Sequence, residues 1–283
     1  CLEYAAELGP RPRLQRVFSR TAALALTVVW ISVLPAGVAL LNTYTQVRLA
    51  HDPAAPALEI IANSGPGNKT IVMSSNRVYR RLSPAARPVG ETLLLPIAKH
   101  VPEEVRAQWL DDLTARGPFW FIADEGDPES VEENRNAHAF VSKHVCKVDT
   151  QWGGSALVSR FVGRNGTPLP VTTAATFGDQ IELTGAQLYP AMLRPGGTLC
   201  VELDWRALKQ PGGDYNVFVH LVDPKGQVVR QTDVQPQGGF APTSQWAVGA
   251  PQIDRHGLIL PKNLAAGDYI VRLGLYRSDD QSP

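Results

Sequence analysis

Apolar and small residues run without a charged interruption from Thr21 to Val47. The core of that run, Ala22–Leu41 (AALALTVVWISVLPAGVALL), is rich in Leu, Ile and Val. As a helix of about 20 residues it covers roughly 30 Å, the thickness of a bilayer's hydrocarbon layer. The pattern therefore predicts a membrane-spanning helix within residues 21–47, bent at Pro35. A buried globular helix of this length would carry a polar face. A cleaved signal peptide would be shorter and followed by a small-x-small site, and none follows Leu41. Arg11, Arg13, Arg16 and Arg20 precede the run, and Arg48 is the only Lys or Arg between it and Lys69. Positive charge stays cytoplasmic. The expected localisation is thus the cell membrane, with residues 1–20 a cytoplasmic stub and everything after about residue 48 extracytoplasmic.

Beyond the run the pattern becomes that of a folded region. Residues 48–69 start Pro-rich and end in Gly65-Pro66-Gly67, reading as a tether with a short helix near Leu58–Ala62. Strand and helix signals then alternate. Thr70–Ser74, Thr92–Leu95 and Phe119–Ala123 are apolar runs of strand length. Pro102–Arg116 is a helix opened by Pro and Glu, striped by Val105, Trp109, Leu110 and Leu113, and stopped by Gly117. Pro128–His144 reads as a second helix, and Val145–Asp149 and Ala156–Phe161 as strands. Residues 70–162 thus predict a small α/β domain. Residues 163–170 (GRNGTPLP) form a turn-rich linker. From 171 to 283 only strands are expected: Ile181–Leu188, an alternating run from Leu199 to Trp205, Tyr215–Val222, Gln227–Asp233, Leu258–Leu260 and Asp268–Tyr276. That spacing argues an antiparallel β-sandwich. The expected fold class is α+β and multi-domain: one transmembrane helix, a small α/β domain, then the sandwich.

Composition changes this picture little. Lys plus Arg equal Asp plus Glu at 27 each, leaving no clustered basic field of the kind nucleic acid needs. Cys1, Cys146 and Cys200 are an odd set with no close spacing, so neither a metal knuckle nor a disulfide framework is written in them. Cys146 and Cys200 read as small core residues, with a bridge between the two outer domains left open. With Cys1 in place of Met, the chain is expected to be a fragment of a longer protein.

Candidate chemistry is sparse. None of the six histidines has a partner at metal-ligand spacing, and no nucleophile-plus-base motif is present. Glu103-Glu104, Asp111-Asp112 and Glu132-Glu133 read as solvated helix faces. No catalytic residue, metal site or cofactor is called for. Trp205, Tyr215, Trp246 and Tyr276 are aromatics suited to stacking on sugar rings, but aromatics also fill cores. Trp205 is in phase with Leu199, Val201 and Leu203 and points inward. Trp246 sits in a Pro/Gly/Ser/Thr-rich loop and is the one candidate ligand-binding residue.

The strand region carries Gly178–Gly185 (GDQIELTG), Pro195–Leu199 (PGGTL), Leu203–Trp205 (LDW), Asp214–Asp223 (DYNVFVHLVD), Gln231–Asp233 (QTD), Pro242–Trp246 (PTSQW), Asp254–His256 (DRH) and Gly267–Tyr276 (GDYIVRLGLY). With these motifs it resembles the extracytoplasmic C-terminal sandwich of bacterial polytopic membrane glycosyltransferases of the dolichyl-phosphate-mannose–protein mannosyltransferase type. Thr70–Phe161 is similar to the α/β segment that precedes it there. The resemblance implies an accessory region of an enzyme that uses lipid-linked sugar, with the catalytic acids upstream and none in this chain. A further strand after the Leu-Gly-Leu-Tyr run is part of that pattern. The alternative is a single-pass, membrane-anchored carbohydrate- or protein-binding sandwich without catalysis. The partners expected are the lipid bilayer, a polyprenyl-phosphate sugar reached through the upstream part, and a glycan or cell-surface protein, but no nucleic acid.

Overall fold

The computed structural model describes residues 35, 38–40, 52–66, 69–96, 101–171 and 174–279. By its contacts the chain divides into Cys1–Asp52 and Pro53–Pro283, and the account below concerns the second unit. Four helices are described in it: α1 (Pro56–Asn63), α2 (Asn76–Ala86), α3 (Glu103–Ala115) and α4 (Val131–His144). The strands are β1 (Lys69–Met73), β2 (Gly90–Leu94), β3 (Phe119–Asp124), β4 (Cys146–Gly153), β5 (Ala156–Val162), β6 (Leu169–Val171), β7 (Ala175–Phe177), β8 (Ile181–Tyr189), β9 (Thr198–Ala207), β10 (Tyr215–Val222), β11 (Val228–Val234), β12 (Pro251–Ile259) and β13 (Ile270–Arg277).

Two expectations are corrected. Among the described residues no helix is long and apolar enough to cross a membrane, so the expected transmembrane helix and membrane localisation find no support there. Residues 1–20 and most of 21–47 lie outside the described residues; Pro35 and Val38, Ala39 and Leu40 are helical and exposed. The fold class changes as well. The chain is mostly β, with one ten-stranded sheet and a second sheet of three strands among the described residues. The ten-stranded sheet runs β2-β1-β3-β5-β4-β12-β9-β8-β6, with β7 also on β8. A parallel pairing of His256 with Lys147 carries it from β4 into β12.

The first half obeys α/β logic. β1, β2 and β3 are parallel, and all six residues of β3 (FWFIAD) are buried, as expected of a strand covered on both faces. Phe119, Phe121, Phe161, Leu110, Leu113 and Val141 form the core under α3 and α4. Glu103 and Glu104 in the first turn of α3, and Lys143 and His144 in the last turn of α4, suit the helix dipoles. The sequence reading assigns no helix to Asn76–Ala86. That segment holds Pro84 and three arginines, yet Ser75 caps it, its hydroxyl accepting from the Val78 amide at 3.3 Å.

In the second half, β12, β9, β8, β6 and β7 of the long sheet face a short sheet, β11-β10-β13. Between them lie Val201, Leu203, Trp205, Val217, Val219 and Leu221, all buried.

Candidate functional site

Trp246 does not offer a sugar-stacking face. It is 3% exposed, packs in the sandwich core, and its Nε1 donates to the Ala241 carbonyl at 2.9 Å. Trp205 is fully buried there, Tyr215 is half-buried, and Tyr276 is 37% exposed at the rim. Of the paired acids, Glu103 meets Lys143 at 2.8 Å and Asp111 meets Arg164 at 3.1 Å.

Open α/β sheets bind ligands where neighbouring strands send their helices to opposite sides. Here that crevice lies between the carboxyl ends of β1 and β3, where ion pairs line one side and a cavity of about 1070 Å³ bounded by Ser75, Asn76, Leu95, Arg106 and Ser130 opens beside them. Arg81 pairs with Asp124, and the Arg77 Nε donates to Asp127 Oδ2 at 2.5 Å. Asp124 also accepts from the Ser155 hydroxyl at 2.7 Å. Asp124 and Asp127 are 1% and 7% exposed. These pairs hold the end of β3 and the turn after it against α2.

A second arrangement has the outline of a nucleophile and its base. Ser159 Oγ lies 3.0 Å from His138 Nε2 and 2.8 Å from Thr150 Oγ1. Both Ser159 and His138 are buried. Burial, and then the charge of Lys147, pull the imidazole down to about 3. At neutral pH it stays uncharged and is a weak proton acceptor, so the pair is architectural.

Of the open cavities among the described residues, one of about 660 Å³ lies between α1 and the outer face of β3, β5 and β4. Strand register sets its floor. Trp120, Arg160 and Asp149 stand in one row across three strands. The Arg160 guanidinium carbon sits 5.2 Å from the Trp120 ring centroid, and its Nε is buried with no hydrogen-bond partner among the described residues. Desolvation lowers Arg160 and raises Asp149. At one end Trp152 stands 61% exposed. Glu59, Asn63 and Gln151 add hydrogen-bonding groups to the wall. A large exposed indole beside convergent polar side chains is a mixed surface, apolar on a flat face and polar at the edge.

Two glycines bring the wall into place. A Cβ on Gly153 would meet the Ala57 Cα at 2.5 Å, and one on Gly154 would meet the Pro53 carbonyl oxygen at 1.8 Å. Their absence lets α1 lie against the β4–β5 turn, where the Ser155 amide donates to Pro53 O at 2.8 Å. The sequence reading misses Trp152 because it ends the strand at Asp149. The adjacent Gln-Trp-Gly-Gly, an aromatic beside a turn, was the available signal.

No family model matches the chain, and no curated protein does. Among solved structures, a crystal structure of an endonuclease/exonuclease/phosphatase from Beutenbergia cavernae is 13% identical and covers 62% of this chain. This chain spans 56% of that protein, at a TM-score of 0.21, a likeness too slight to carry any argument. The resemblance to membrane glycosyltransferases finds no support in the matches above.

Proposed function

We propose that this chain is a non-catalytic carbohydrate-binding protein whose site is the cleft between α1 and the β3–β5–β4 face. The observation that carries the reading is Trp152, a large aromatic left 61% exposed beside a polar row. A pyranose ring presents an apolar C–H face that stacks on indole. Its hydroxyls would donate to Asp149 and Glu59 and accept from Arg160 and Asn63. The sealed Ser159–His138 pair favours binding over turnover.

The test is calorimetric titration with a panel of neutral oligosaccharides, comparing wild type with Trp152→Ala. Saturable binding of at least one glycan is expected, weakened about tenfold or more by the substitution, which corresponds to roughly 1.4 kcal/mol. Thermal stability should hold within about 0.5 kcal/mol, because an exposed side chain is removed. Binding by Trp152→Ala equal to wild type, or no saturable binding across the panel, would sink the reading.

A further inference from the structure

Arg160 on β5 lines the cleft level with Trp120 of β3 and Asp149 of β4. Its guanidinium lies over the Trp120 indole. Such a stack occupies the face of the guanidinium and leaves its in-plane N–H groups for hydrogen bonds. Those groups are unused. Nε is buried without a partner, and the guanidinium makes no hydrogen bond or ion pair among the described residues. Asp149 stands opposite Arg160 in the ladder yet does not close to ion-pair distance. Burial works against this cation, and the charge of Asp149 offsets that only in part, so Arg160 is lowered. A desolvated cation without a full partner favours the arrival of an anionic group.

Three ligand groups can be weighed on these facts. A sugar hydroxyl would accept from one N–H and leave the charge uncompensated. A phosphate monoester would bring about 1.5–2 negative charges to a wall that also holds Asp149 and Glu59. A carboxylate carries one charge on two coplanar oxygens, which match the in-plane donors of a guanidinium in a bidentate pair. Asp149 and Glu59 are exposed, so solvent screens their repulsion of a single charge. Their oxygens remain free to accept from the hydroxyls of the same sugar. Among the described residues Arg160 is the one Lys or Arg lining the cleft, so the site has a place for one such carboxylate.

We propose that the cleft selects sugars bearing a carboxylate, the hexuronates, and that the in-plane N–H groups of Arg160 read that carboxylate; the inference rests on the glycan-binding reading above. The probes are cellotriose, maltotriose and galactotriose. Each is titrated calorimetrically at neutral pH beside the same trimer with its primary alcohols oxidised to carboxylates, and beside the methyl ester of that acid. The ester keeps the carbonyl and removes the charge. In a series that binds, the acid should bind about tenfold or more tightly than the ester and the neutral trimer. Arg160→Gln should abolish that preference, bringing acid and ester within about twofold of each other, while the neutral trimer still binds. This variant gives up the stack on Trp120, so its folding is verified by thermal unfolding; the comparison of acid with ester on wild type stands without it. Equal affinity of wild type for acid, ester and neutral trimer overturns the carboxylate preference, while Trp152-dependent binding of the neutral trimer would keep the glycan reading. A preference that survives in folded Arg160→Gln overturns the role of Arg160. No saturable binding of any form in any series overturns the glycan reading and this inference with it.

Discussion

Cys146 on β4 and Cys200 on β9 form a disulfide, their Cα atoms 5.7 Å apart, and so tie the α/β half of the unit to the sandwich. Both are fully buried, next to Val162. The bridge closes a loop of 54 residues in sequence separation. On the chain-entropy account, closing a loop of that length is worth about 4 kcal/mol. Replacing both cysteines with Ala, or reducing the protein, should lower unfolding free energy by roughly 2–4 kcal/mol in denaturant titration. Unchanged stability after verified reduction would show that the pairing does not constrain the chain.

Stability should also fall on mild acidification. His138 is held neutral by burial among Phe121, Phe161 and Phe240 and by the charge of Lys147, so its folded value is about 3 against 6.5 unfolded. Between those values the unfolded chain binds the extra proton. Stability therefore rises with pH across roughly 3 to 6.5 and is lost as pH falls through that window. The limiting slope is about 1.4 kcal/mol per pH unit. Denaturant midpoints measured from pH 7 to pH 4 should show this slope, and His138→Phe should flatten it. A slope unchanged in the variant would assign the acid sensitivity elsewhere.

Lys147 should be a burden at neutral pH. It is 8% exposed beneath the turn at Pro236–Gly239, with one long bond of 3.4 Å to the Gly238 carbonyl. Burial draws its amine down to about 8 from 10.5. Folding is weakened while the amine must stay charged, and stability rises as pH climbs from about 8 to 10.5. Lys147→Met keeps the stem and removes the charge, and should raise stability at pH 7 by about 1–3 kcal/mol. A loss of stability in Lys147→Met would mean that the amine is held by more than the Gly238 carbonyl.

These features divide by what local sequence can carry. β3 and α3 are legible because an unbroken apolar run and a 3.6-residue stripe report burial directly. The pairing of Cys146 with Cys200 is not, since it depends on two strands meeting from opposite halves of the unit. The same holds for the His256–Lys147 junction that merges two expected domains into one sheet. Trp246 misleads because its Pro-, Ser- and Thr-rich loop folds back over the core, where the Ala241 carbonyl satisfies its indole nitrogen. Trp152 stays hidden because the strand reads as ending at Asp149, whereas β4 runs on to Gly153.

The glycan cleft should depend on Gly154 as much as on the residues that line it. Gly154 has φ +67°, and a Cβ there would lie 1.8 Å from the Pro53 carbonyl oxygen and 3.1 Å from the Pro56 ring. An alanine pays about 1–2 kcal/mol for the left-handed conformation alone. The contact with Pro53 cannot be relieved by a rotamer change, because backbone stands on that side. The start of α1 must move away from the β4–β5 turn, taking Glu59 and Asn63 with it. Gly154→Ala should therefore lose at least about 1–2 kcal/mol of stability and also weaken glycan affinity, although it removes no group that touches ligand. Gly226→Ala supplies the control. Its φ is +84° and nothing lies within 4 Å of the added Cβ, so it carries the conformational cost without the displacement. Calorimetry at a temperature where both variants are fully folded should show normal affinity for Gly226→Ala and reduced affinity for Gly154→Ala. Equal affinities would mean that α1 does not form the wall of the binding site.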